Sequence, residues 1–158
     1  LAQIRPYIKT FDNYAYGRMP QKEFCVSVTW GPDGLLAMAG AAEANTGVVL
    51  DFFLPAGAGK ANLWIDGWLI PADAENVEDA HLFLNYMMRA EVGAADSNYT
   101  WYATANLAGK PMVDEEVTSS PAAFPTSDQI DHMYTNASLP PKAQRMQTRT
   151  WTDFKAGN

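Results

Sequence analysis

Cysteine, histidine and clusters of basic residues are scarce in this chain, and each shortage closes a class of function. Cys25 is the single cysteine among 158 residues, and His81 and His132 are the only two histidines. Neither histidine belongs to a spaced ligand set such as HExxH, so no metal site is implied and both read as surface or satisfied-core residues. No GxSxG elbow occurs, and no histidine lies close in sequence to Cys25, which leaves nucleophilic catalysis without support. Lysine and arginine number 11 against 18 acids, a net charge of −7 with no basic run. The electrostatic footprint of a nucleic-acid binder is therefore missing. No apolar run approaches the roughly 18 to 20 residues of a membrane span, and no basic segment precedes an apolar one at the N-terminus. The glycine-containing stretch "AGAGK" lacks the spacing of a phosphate-cradling loop, there is no internal repeat, and no cofactor is implied. The chain starts at Leu1 rather than methionine, so either a leader has been removed or the sequence starts within a longer protein.

What remains is 47% hydrophobic and 12% aromatic, a globular composition long enough for a real core. "EFCVSVTW" alternates, with Phe24, Val26, Val28 and Trp30 on one face and Cys25, Ser27 and Thr29 on the other, the pattern of a strand. Cys25 there reads by default as a buried, inert thiol, or, in an exported protein, as half of a pair whose partner lies outside this chain. "GPDG" punctuates, and the small-residue run Leu35 to Ala44 predicts a helix packed closely on a sheet, stopped by Asn45 and Gly47. "VVLDFFLP" and "LWIDGWLIP" predict two further strands, each closed by proline. A helix is expected over "ADAENVEDAHLFLNYMMRAEV", with acids in its first turn, then a shorter helix near Val92 to Ser97, and a last one over "PKAQRMQTRTWTDFKAG" with Ala143, Met146, Thr150, Trp151 and Phe154 as its stripe. Strands interleaved with helices predict an α/β class. Asn98-Tyr-Thr and Asn136-Ala-Ser match the glycosylation triplet, a pattern that recurs by chance.

The chemistry on offer lies beside tryptophans. In a strand, Trp64, Asp66 and Trp68 of "LWIDGW" share one face. That arrangement suits a half-buried edge strand whose aspartate meets water or arginine, and it equally suits an organic cation held by a carboxylate and by ring faces. Asp33 repeats the theme three residues after Trp30, where strand turns to helix, and ligands of open α/β sheets gather at such strand ends. Paired acids beside tryptophans also fit the general acid and base of a glycosidase, although nothing marks which carboxylate would be the acid and the chain is short for hydrolase folds.

"CVSVTWGPDG", "LWIDGWLIPADAENVEDAHLFLNYMMRAEV", "YATANLAGKPMVDEEV" and "RTWTDFKAG", in this order, resemble the C-terminal portion of the periplasmic putrescine/spermidine-binding proteins of polyamine ABC transporters, from about Ile4 to Gly157. The resemblance implies the two-lobed type II periplasmic-binding-protein fold with ligand enclosed between lobes, the chain being a C-terminal fragment. About 1–50 and 113–158 would belong to the second lobe and about 63–110 to the first, the N-terminal half being absent. By the same resemblance, Trp30 packs on the polyamine, Asp33 binds an amine end, Trp64 is an aromatic wall, Asp66 is the acid central to amine recognition and Tyr102 lines the cleft. Trp68 has no ligand role and reads as structural. Cys25 stands where family members have a cysteine able to pair with one in the missing half. Pro32 departs from the glycine or small residue usual before the first acid, and "YAYGRMPQKE" departs from the usual helix and glycine turn. The implied function is binding of putrescine or spermidine without chemistry, in the periplasm, with a transporter permease as partner. The alternatives are a binder of another organic cation or small solute, and the glycosidase.

Overall fold

Small residues decide where the longest internal helix can lie. The computed structural model describes residues 1–55 and 57–157, so Ala56, the first residue of "AGAGK", and Asn158 lie outside the described residues. Helix α1 (Ala15–Arg18) and a 3-10 turn (Met19–Gln21) pack along α2 (Gly31–Ala44). Helix α2 starts one turn earlier than expected, because Pro32 falls in its first turn, where a missing N–H costs nothing and the fixed φ suits a helix. It ends as expected, with Asn45 left-handed at φ 49°. A Cβ on Gly34 would sit 2.6 Å from the Phe52 ring, and one on Gly31 only 2.0 Å from the Ala122 carbonyl oxygen. These two glycines are what allows segments 48–54 and 120–124 to close on α2.

The expected long helix of 72–92 is in fact two, α3 (Val77–Met87) and α4 (Ala90–Thr100), with Arg89 extended between them at ψ 141°. No glycine or proline marks this break. It is held from elsewhere, the Asn106 side-chain amide donating to the Met88 carbonyl at 2.7 Å. Short helices α5 (Glu115–Thr118) and α6 (Ser127–Asp131) follow, α6 opened by a reciprocal capping box between Thr126 and Gln129. The core joins Leu35 of α2, Ala94 of α4, Val113, Val117 of α5 and Ala123, with Met38, Trp101 and Phe124 packed against it.

Helix α7 (Pro141–Ala156) begins at proline and ends at Gly157 with φ 83°, as its sequence predicts. Its stripe is only partly used. Phe154 is buried against Phe11, whereas Met146 is exposed. Arg5 closes the contact by donating from Nε to the Phe154 carbonyl at 2.9 Å and from Nη2 to Lys155 at 3.0 Å, a cation on the negative end of the helix dipole.

The three predicted strands are not strands among the described residues. Residues 24–30, 48–55 and 63–71 carry no ladder, and the one β-type pairing is an isolated parallel bridge between Asn62 and Tyr134. The period-2 pattern survives in 48–55, where 48, 50, 52 and 54 are half-buried and 49, 51 and 53 exposed. In 24–30 the apolar face is the one left in water, Val26 being 81% and Val28 101% exposed. Alternation predicts which side chains share a face, but a strand persists only where another segment takes its N–H and C=O groups. With no ladder beside it, Cys25 is an exposed free thiol rather than a buried one. The α/β class is thus not realised within these residues, which are mostly helical. The surface is 12047 Å², against about 7,800 Å² for a compact monomer of this mass. No helix among the described residues is long and apolar enough to cross a membrane.

Candidate functional site

Three separate stretches deliver the five residues singled out from the sequence. Trp30 is the N-cap of α2, extended at ψ 148°, so its side chain leaves the helix axis while its carbonyl accepts from the Gly34 N–H at 3.1 Å. Asp33 sits in the first turn of α2, at the positive end of the helix dipole. Trp64 and Asp66 follow a short parallel pairing in which Gly59 N–H donates to the His132 carbonyl, Tyr134 N–H to Ala61 and Leu63 N–H to Tyr134, at 2.8 to 3.0 Å. Tyr102 comes two residues after the end of α4, beyond Trp101, whose φ of 64° is left-handed.

The fold brings all five together. The Trp30 and Trp64 rings lie 5.7 Å apart between centroids, tilted by 54°. Trp64 Nε1–H donates to Asp66 Oδ1 at 3.0 Å. The Tyr102 hydroxyl donates to Asp33 Oδ1 at 3.2 Å. Partial burial, then the charge of Asp33, the hydrogen bond to it and the charge of Asp66 push the Tyr102 phenol up to about 12, so it is a neutral donor at any physiological pH. The Tyr102 hydroxyl bonds Asp33, and the charge of Asp66 acts on it from farther off. Among the described residues the side-chain ion pairs are those of Arg18 with Asp12 and Glu23, and neither Asp33 nor Asp66 has a lysine or arginine partner. Two acids without a cation partner among the described residues, beside three part-exposed aromatic rings, make a shallow, open niche whose chemistry suits a positively charged, partly apolar guest.

Trp68 is not part of this group. It stands 65% exposed, edge-on to Phe83 at 5.3 Å, apart from the site but not in the core. His81 is exposed, and His132 is exposed with Nδ1 2.7 Å from the Asp128 carbonyl oxygen. Ser97 and Thr100, which no sequence motif marks, hold the backbone of Tyr102. Ser97, 1% exposed, donates its hydroxyl to the Tyr102 carbonyl, and Thr100 Oγ1 accepts from the Tyr102 N–H at 3.3 Å. The available signal was a serine three residues after Ala94 on a helix face that otherwise buries apolar groups.

No protein-family model matches the chain. It is 35% identical over 158 residues to the putrescine-binding periplasmic protein PotF of Escherichia coli, covering 99% of this chain and 42% of that protein. It is 33% identical to the putrescine-binding periplasmic protein SpuD of Pseudomonas aeruginosa, covering 98% of this chain and 42% of that one. With the spermidine/putrescine-binding periplasmic protein 1 of Haemophilus influenzae it shares 36% identity over 72 residues, 46% of this chain and 20% of that protein. The chain thus spans well under half the length of the curated relatives it matches. Along nearly all of its own length it is similar to putrescine-binding periplasmic proteins.

Proposed function

We propose that these residues are the C-terminal portion of a type II periplasmic-binding protein that captures putrescine or spermidine for an ABC transporter permease, without chemistry and without a cofactor. The location is the periplasm. In this reading about 1–50 and about 113–158 belong to the second lobe and about 63–110 to part of the first. The N-terminal half supplies most of the first lobe, part of the second and the rest of the cleft lining.

The observation that carries the proposal is the pair Asp33 and Asp66, neither with a lysine or arginine partner among the described residues, Asp33 bonded to the Tyr102 hydroxyl and Asp66 to the Trp64 indole beside Trp30. A polyamine is a methylene stem with ammonium groups, each a donor of up to three hydrogen bonds. An ammonium against Asp66 or Asp33 forms charge-assisted hydrogen bonds, while ring faces contribute ~0.5 to 2 kcal/mol each, more as the cleft excludes water. Trp30 and Trp64 touch one another at 5.7 Å, closer than the ~7 to 8 Å that two van der Waals contacts across a methylene need, so a stem running between them parts the rings. Burial strips water from both ions, which makes net affinity depend on complete pairing once the lobes close. Closure then creates the shape a permease recognises.

Calorimetry with the full native polypeptide containing these residues tests the assignment. Asp66→Ala is expected to abolish putrescine and spermidine binding, and unchanged affinity in that variant overturns the reading.

A further inference from the structure

We propose that Ser97 and Thr100, the last turn of α4, are positioning residues that aim Tyr102 at Asp33. This deepens the function proposed above and rests on its reading of Tyr102 as a residue of the ligand cleft. Ser97 is the most buried polar residue described, on the face that also buries Ala94. A hydroxyl in that place costs desolvation unless it is bonded, and alanine would continue the apolar face at no such cost. Its bonds give the reason for a serine. The Ser97 carbonyl accepts the Trp101 N–H at 2.8 Å and the Ser97 hydroxyl donates to the Tyr102 carbonyl, so one residue grips both sides of the left-handed turn. Thr100 Oγ1, itself donating to the Asp96 carbonyl at 2.8 Å, accepts the Tyr102 N–H at 3.3 Å.

Both backbone polar groups of Tyr102 are thus bound by hydroxyls of one helical turn. No strand ladder holds this segment, so these bonds do what a sheet would do elsewhere. The turn they stabilise is unusual, because a bulky residue at φ 64° is a true outlier that persists only where its surroundings impose it. Trp101 packs on the core at its left-handed φ, and the next side chain reaches α2 with its hydroxyl on Asp33. Thr100 and Ser97 do not touch the niche themselves; they act through Tyr102.

The test uses the full native polypeptide, with Ser97→Ala, the near-isosteric Ser97→Cys, and Thr100→Val, which keeps the shape and removes the acceptor. Two readouts are taken: putrescine affinity by calorimetry, and the Cζ resonance of Tyr102 at neutral pH, assigned with Tyr102→Phe. Each variant is expected to weaken putrescine binding roughly three- to tenfold and to move the Tyr102 resonance, and in a Tyr102→Phe background the Ser97 substitutions should add almost nothing. A weakened affinity with an unmoved resonance, an unchanged affinity in all variants, or full additivity with Tyr102→Phe overturns the proposal. Should wild-type protein bind no polyamine while the resonance still moves, the function proposed above fails and the positioning role stands. Should Ser97→Ala fail to fold, Ser97→Cys and Thr100→Val decide the matter by the same two readouts.

Discussion

Removing one oxygen from Tyr102 isolates the electrostatics of the niche. Tyr102→Phe keeps the ring and deletes the hydroxyl that donates to Asp33 Oδ1. In the folded protein the phenol is raised from 10.0 to about 12, by partial burial first and then by Asp33 and Asp66. Its neutral form is therefore favoured by folding, and the stabilisation it brings is fully present below the unfolded value near pH 10 and lost as pH climbs towards 12. Two units correspond to roughly 2.7 kcal/mol at 1.36 kcal/mol each. Tyr102 is 39% exposed, so screening by water reduces this to about 1 kcal/mol, the usual net worth of such a hydrogen bond. Urea unfolding of wild type and Tyr102→Phe, followed by circular dichroism from about pH 8 to pH 12, measures the difference directly. The two proteins differ in this hydroxyl alone, so every other contribution cancels in the difference. The gap between the two is expected to shrink by about 1 kcal/mol across that range. A gap that stays constant with pH would refute the electrostatic account of Tyr102.

Gly31→Ala should destabilise the protein by ~2 to 3 kcal/mol in chemical denaturation, since its Cβ would meet the Ala122 carbonyl oxygen at 2.0 Å and backbone must move on one side. An effect below about 0.5 kcal/mol would show that segment 120–124 does not close on α2 as described. The isolated 158-residue chain is expected to bind a hydrophobic dye such as ANS strongly, because its surface exceeds that of a compact monomer by roughly 4,000 Å² and includes Val26, Val28 and Phe53. Absence of dye binding, with sharp cooperative unfolding, would contradict that picture.

Local signals were legible where local causes act. Helix α2 ends at Asn45, and α7 runs from Pro141 to the left-handed Gly157, because capping and φ preferences are decided within a turn of chain. The pairing of Trp64 with Asp66 follows from their i, i+2 spacing, which puts both on one side even without a strand. The meeting of Trp30, Asp33 and Tyr102 was legible through family resemblance, not through spacing, since these residues come from different elements. What could not be read has distant causes. Segment 24–30 has a strand's alternation but lacks a described ladder partner, so Val28 and Cys25 face water. The break after Met88 depends on Asn106, and the turn at Trp101 depends on Ser97 rather than on a glycine that the sequence would advertise. The capping box of Thr126 and Gln129 is legible from its spacing.

The central claim is that two carboxylates, without a lysine or arginine partner among the described residues and set beside aromatic rings, recognise the ammonium groups of a diamine. Titrating the full native polypeptide in the calorimeter with putrescine and, separately, with 1,4-butanediol separates charge from stem, because the two share four methylenes and differ in their ends. The account predicts saturable binding of the diamine and no measurable binding of the diol. Failure to bind putrescine, or equal binding of both, would contradict it.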